Sequence, residues 1–179
     1  MHKVKTCLNA DLADTFGNLL NRCTSQRLNR KQHFPRFDMD HVRRILPESQ
    51  EIIDVAGSLA TNCYQAYLNG SFYLGISQVM EFLRLVNGLI TATEPWSLGN
   101  SPSDQDRLDC ILYVSMEAIR ISAILLEPVI PRTAQSVLDK LNIDRELRTW
   151  KSVENSYGEL PARRTNLSAS KYMLFSKLR

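Results

Sequence analysis

No apolar run in this chain is long enough to cross a bilayer. The first residues, MHKVKTCLNADLAD, have no apolar core of the kind a secretory signal needs. They carry Asp11 and Asp14, which makes them a poor organellar transit peptide as well. Cysteine is scarce. The four, at 7, 23, 63 and 110, form no CxxC pair, and their spacing suggests neither a zinc site nor a disulfide framework. Reduced thiols on helix core faces, in a reducing compartment, are the expectation. Long charge blocks and low-complexity runs are missing too, and 44% of residues are hydrophobic, which excludes a disordered chain.

Chemistry is equally thin. There is no GxxxxGK[ST] phosphate loop, no GxGxxG turn and no GxSxG elbow. The three histidines, at 2, 33 and 41, stand in no metal-ligand pattern. Asp104, Asp106 and Asp109 cluster, but at a predicted helix start, where carboxylates are favoured by the helix dipole alone. An EF-hand would need another spacing and a closing Glu. These residues are expected to supply no catalytic group and no metal site.

What is present is helical periodicity. The 179 residues suffice for one good-sized core. Leu8, Leu12, Phe16, Leu19, Leu20 and Cys23 fall on one stripe, which predicts an amphipathic helix over about 5–28. The polar, basic segment from Arg27 to Ser49, broken by Pro35 and Pro47, reads as a connection. Pro47, followed by Glu48 and Glu51, opens a helix to about Leu68, NGS at 69–71 turns the chain, and another helix runs to about Thr93. Ser103 or Asp104 caps a fourth helix to about Glu127, whose nearly continuous apolar run marks it as the most buried. A short fifth helix starts at Pro131. No segment alternates with period 2. The prediction is an all-α antiparallel bundle of about five helices, residues 1–143, with a tail, 144–179, packing back on it.

Charge is unevenly spread. Residues 1–44 carry nine Lys/Arg against four Asp/Glu, 162–179 carry five against none, and 45–161 carry eight against fifteen. Basic ends around an acidic middle suit a polyanion on one surface, or are ordinary solvated faces. Two features sharpen the choice. Asn18 and Arg22, four apart, share a helix face that points away from the apolar stripe. Amide and guanidinium side by side can donate to base edges or phosphates, though an exposed polar face needs no such partner. Trp96 follows Pro95 in a loop. Either it plugs the end of the bundle or it offers a face on which an unpaired base stacks.

Four segments resemble, in order, one family. LNADLADTFGNLLNR (Leu8–Arg22), EPWSL (Glu94–Leu98), LLEPVIPRTAQSVLDKLNI (Leu125–Ile143) and MLFSKLR (Met173–Arg179) are similar to segments of the anticodon-binding domain of methionyl-tRNA synthetases. The resemblance spans nearly the whole chain. It implies that Asn18, Arg22 and Trp96 read the anticodon, with Trp96 stacked on its first base, a cytosine, and Asn18 and Arg22 bonded to base edges. It implies tRNA(Met) and the catalytic domain of the same enzyme as partners, and neither DNA nor a membrane. ATP belongs to that catalytic domain, a Rossmann-type unit whose signature motifs this sequence lacks, so a methionine–tRNA ligase fragment without turnover of its own is expected. The segment LADTFGNLLNRCTSQRLN looks most like animal mitochondrial forms, which implies the mitochondrial matrix. Ser176 and Lys177 stand where the family has Pro and Arg, and Glu94 where it has Ala. The competing expectations are a helical protein-interaction bundle with no RNA role, the anticodon domain of a related class Ia synthetase, and a stand-alone enzyme.

Overall fold

The computed structural model describes residues 15–154, 157 and 165–169. The helix expected before residue 15, the tail motif at 173–179 and Cys7 lie outside them. Seven α-helices occur among the described residues: α1 (Asn18–Thr24), α2 (Met39–Ile45), α3 (Gln50–Leu68), α4 (Phe72–Thr93), α5 (Pro102–Leu126), α6 (Pro131–Lys140) and α7 (Lys151–Glu154). Two two-residue strands, β1 (His33–Phe34) and β2 (Thr165–Asn166), pair antiparallel. No helix among the described residues is long and apolar enough to cross a membrane.

α5 is the axis. Every residue from Asp109 to Leu126 is buried, and α1, α2, α3, α4 and α6 all pack on it. A helix apolar all round has no solvent face to offer, so it takes the centre. α3 and α4 form an antiparallel pair across the NGS turn. Ser71 N–H donates to Ala66 C=O (2.8 Å) and Gly70 N–H to Tyr67 C=O (3.0 Å), a Schellman closure with Gly70 left-handed at φ +69°. α6 ends the same way. Asn142 is left-handed at φ 54°, with Ile143 N–H on Leu138 C=O (3.0 Å) and Asn142 N–H on Asp139 C=O (3.0 Å).

Two expectations need correction. The cap of α5 is Ser101 rather than Ser103 or Asp104: its hydroxyl accepts from Asp104 N–H (3.1 Å), and Pro102 takes the first helical turn, where its missing N–H costs nothing. The segment from Arg27 to Ser49 is more than a connection. It holds β1 and α2, the latter capped by Asp38, whose carboxylate accepts from His41 N–H (2.9 Å). Seven residues with one buried side chain, Val42, are too few to show a 3.6-residue period.

This basic segment is held to α5 by ion pairs and hydrogen bonds. Lys31 meets Asp109 (3.1 Å), Arg36 meets Glu117 (3.4 Å), His41 meets Asp106 (2.9 Å), and Arg107 donates to Ile45 C=O (2.8 Å) and pairs with Glu48. Glu117 is the deepest of these. It also accepts from Arg120 Nε (3.0 Å) and Nη2 (2.7 Å), while Arg120 donates to Ser152 C=O (3.0 Å) and so ties α7 to the core. Burial lowers the pKa of Arg36, and its guanidinium lies 4.0 Å over the Phe34 ring. Tyr157 donates its hydroxyl to Val114 C=O (2.9 Å), and Leu167 N–H donates to Gln32 C=O (2.9 Å), so the described part of the tail lies on the bundle.

Candidate nucleic-acid interface

α1 starts from a wide turn over 15–17, held by Asn87 of α4, whose side chain donates to Thr15 C=O (3.4 Å). Leu19, Leu20 and Cys23 are buried toward α5, which leaves Asn18 and Arg22 exposed on the opposite face. Gly17 is buried with ordinary helical dihedrals (φ −63°, ψ −43°), so its backbone freedom is not what the site uses.

Trp96 is placed by a tight turn. α4 is capped at its C-terminus by Glu94, a left-handed residue at φ 41°, ψ 56°. Ser97 then closes on Glu94 C=O twice, through its N–H (2.8 Å) and its hydroxyl (2.7 Å). Pro95, at the second position of that turn, has its φ preset by its ring and is buried. Trp96, the next residue, is 60% exposed. A ring that plugged the bundle would be covered, so the exposure decides against the plug.

Arg22 and Trp96 line one groove of about 610 Å³, floored by Leu28 and Ile90 and completed by Arg27 and Arg30. Among the described residues no carboxylate lines it. Among the described residues none of the three arginines is in an ion pair. The loop that carries Arg27 and Arg30 is internally tied. Asn29, buried, donates to His33 C=O (2.6 Å) and accepts from His33 N–H (3.2 Å), and Gln32 donates to Thr24 C=O (3.0 Å) and Asn29 C=O (2.7 Å). Arg30 reaches across to Asn100 Oδ1 (3.1 Å), joining this loop to the one after Trp96. Asn18 does not line the groove. It stands one helical turn before Arg22, a rise of about 6 Å. Arg27 and Arg30 were hidden in a stretch that reads only as a basic connection; RLNRK carried the signal, but nothing in it says which side the arginines face.

One cluster could hold a metal by proximity. Ligand atoms of His41, Asp106 and Cys110 lie within 4.8 Å of one another, a grouping that residues 41 and 106 conceal in the sequence. Its hydrogen bonds already use the imidazole. Arg44 donates to Nδ1 (3.0 Å), which makes Nε2 the protonated nitrogen that donates to Asp106 (2.9 Å). Burial pushes the Cys110 thiol up to about 12, so it stays protonated beside the pair.

A basic groove with an exposed indole and apolar floor is the chemistry that single-stranded RNA binding uses: cations for phosphates, a ring for a base. Comparison with known proteins agrees with that character. Residues 78–179 match the family model described as the anticodon binding domain of methionyl tRNA ligase. The chain belongs to this family. The matched residues include Trp96 but not Asn18 or Arg22. The probable mitochondrial methionine–tRNA ligase of Dictyostelium discoideum is 34% identical over 152 residues, 83% of this chain and 26% of that protein. The mitochondrial methionine–tRNA ligase of Homo sapiens is 31% identical over 169 residues, 88% of this chain and 27% of that protein. Methionyl-tRNA synthetase of Mycobacterium tuberculosis, solved with methionyl-adenylate, shares the fold with a TM-score of 0.78 at 26% identity, covering 95% of this chain and 32% of that one. The chain thus spans about a quarter of the length of the curated ligases it matches. The helical bundle is that of a methionyl-tRNA ligase anticodon-binding domain.

Proposed function

We propose that this anticodon-binding domain reads the CAU anticodon of tRNA(Met) on behalf of a methionine–tRNA ligase. The observation that carries this reading is the convergence of Arg22 and Trp96, 74 residues apart in sequence, on one groove that no carboxylate among the described residues lines. In this reading the first anticodon base stacks on Trp96, whose face is open. Stacking tolerates any base, so discrimination falls to the donors beside it: Arg22 at the groove wall and Asn18 one turn away. Arg27 and Arg30 hold the flanking phosphates, which position the loop without reading it. The catalytic domain of the same enzyme binds ATP and methionine and completes the charging of tRNA. These 179 residues supply recognition alone. The names of the mitochondrial relatives support a mitochondrial, and we infer matrix, location.

The test is a titration of the chain with two RNA hairpins, one bearing CAU and one with its first anticodon base changed, at low and moderate salt. A preference for CAU is expected, and Trp96→Ala removes it, with a loss of about 1–3 kcal/mol, the range for one stacked base. Equal binding of both hairpins, unaffected by the substitution, would leave only charge attraction and favour a protein-interaction bundle.

A further inference from the structure

Asp106 and Cys110 stand four residues apart on α5, so both side chains leave it from one face. Helices chelate ions with this spacing, two ligands one turn apart. His41 comes from α2 and lies over the same face, with Nε2 2.9 Å from an Asp106 oxygen. Ligand atoms of all three residues lie within 4.8 Å of one another. Along the chain the histidines stand in no ligand pattern; the packing of α2 on α5 makes one.

The imidazole is held in place before any ligand arrives. Phe37 stacks on it (4.9 Å between centroids, 7° between planes), and the Asp38 cap accepts from the His41 N–H. The His41 and Asp106 side chains are 22% and 34% exposed, and Cys110 is fully buried. An ion therefore has a path in from solvent and a sulfur at its end. Tetrahedral zinc bonds N and O at about 2.0–2.2 Å and S at about 2.3 Å, so its ligand atoms lie about 3.2–3.6 Å apart. Movements of about 1 Å by the two part-exposed side chains close the set to that size. The surrounding charges suit a cation. Asp38 and Asp109 act on Cys110 with negative charge, while Arg107 is paired with Glu48 and Lys31 with Asp109. Arg44, bonded to Nδ1, is exposed and has no carboxylate partner among the described residues.

We propose that His41 Nε2, an Asp106 carboxylate oxygen and Cys110 Sγ bind a zinc ion, with water as the fourth ligand, and that the ion fastens α2 to α5. The ion takes the place of the proton that Nε2 shares with Asp106. That proton moves to Nδ1, and Arg44 turns out to solvent. Cys110 releases its thiol proton to solvent as the zinc–sulfur bond forms. Sulfur, imidazole and one carboxylate make a donor set for zinc; magnesium and calcium take oxygen ligands. The ion has something to hold. α2 has seven residues and one buried side chain, too little to be stable on its own pattern. The proposal goes beyond the anticodon reading and stands without it.

Titration of the 179-residue chain with zinc, and with cobalt(II) as its coloured substitute, tests this. Zinc at a hundredfold excess over its dissociation constant is expected to raise Tm by about 5–10 °C relative to the chain in chelator. Amide hydrogen exchange over residues 39–45 should slow. Cobalt(II) should show thiolate-to-metal charge-transfer absorption. Cys110→Ala is expected to abolish that absorption, and both Cys110→Ala and Asp106→Asn to weaken zinc binding about tenfold or more. Cys7→Ser should leave both readouts as in the parent. Asp106 is part-exposed, so Asp106→Asn should keep the parent's helical circular-dichroism signal and decides the matter even if Cys110→Ala unfolds the core. No charge-transfer absorption in the parent would overturn the proposal. So would absorption that survives Cys110→Ala, which would assign the ion to another cysteine, or zinc that leaves exchange over 39–45 unchanged.

Discussion

If the groove reads an anticodon as proposed, replacing Arg27 and Arg30 together by alanine separates phosphate holding from base reading. Both line it with Arg22 and Trp96, and neither has a carboxylate partner among the described residues, so their charge is available to RNA. Each phosphate neutralised on a single strand steepens the dependence of log K on log salt by about 0.7, so two contacts contribute a slope of about −1.4. Between 50 and 200 mM salt that slope weakens the parent's binding about sevenfold more than the variant's. Phosphates carry no sequence information, so the ratio of affinities for the CAU hairpin and its first-base variant should be the same in both proteins. Fluorescence anisotropy over that salt range measures both quantities. Parallel salt plots for parent and variant would refute the phosphate assignment. A lost CAU preference with an unchanged slope would reverse the roles and put base reading on the loop that carries Arg27 and Arg30.

Two further predictions concern the frame that holds the groove. Glu117→Ala leaves the guanidinium groups of Arg36 and Arg120 buried without their shared carboxylate, and should cost about 3–5 kcal/mol in urea unfolding; a cost under about 1 kcal/mol would mean that solvent or a rearranged side chain replaces it. Burial raises the thiols of Cys23, Cys63 and Cys110 to about 12, above an ordinary value of 9.0. The native state therefore keeps protons that the unfolded chain releases as pH rises past that ordinary value, so stability is intact at neutral pH and falls on alkalinisation. At pH 9.5 the three together remove on the order of 2 kcal/mol, and equal urea midpoints at pH 7 and pH 9.5 would count against their burial.

The long helices were legible because each repeats its apolar pattern over four or more turns. α4 runs from Phe72 to Thr93 as the periodicity and the NGS turn require, and the unbroken burial of α5 follows from its near-continuous apolar run. α2 and β1 were not, for a physical reason: a seven-residue helix and a two-residue strand gain their stability from α5 and β2 rather than from their own pattern, so the local sequence carries little trace of them.

The site divides the same way. Helix geometry alone sets Asn18 and Arg22 on one exposed face, because residues four apart face together whatever surrounds them. The sequence by itself also determined the family resemblance and the absence of nucleotide-binding motifs. Whether Trp96 was a plug or a platform could not be read from residues 94–98, since both uses want an aromatic ring after a helix. The left-handed Glu94 and the closure of Ser97 upon it turn the ring outward. Only the tertiary structure brings Arg27 and Arg30 to that ring, and only it sets His41 beside Asp106 and Cys110. Side-chain contacts between distant segments depend on how helices pack, and packing is decided by the whole core at once rather than by any stretch of it.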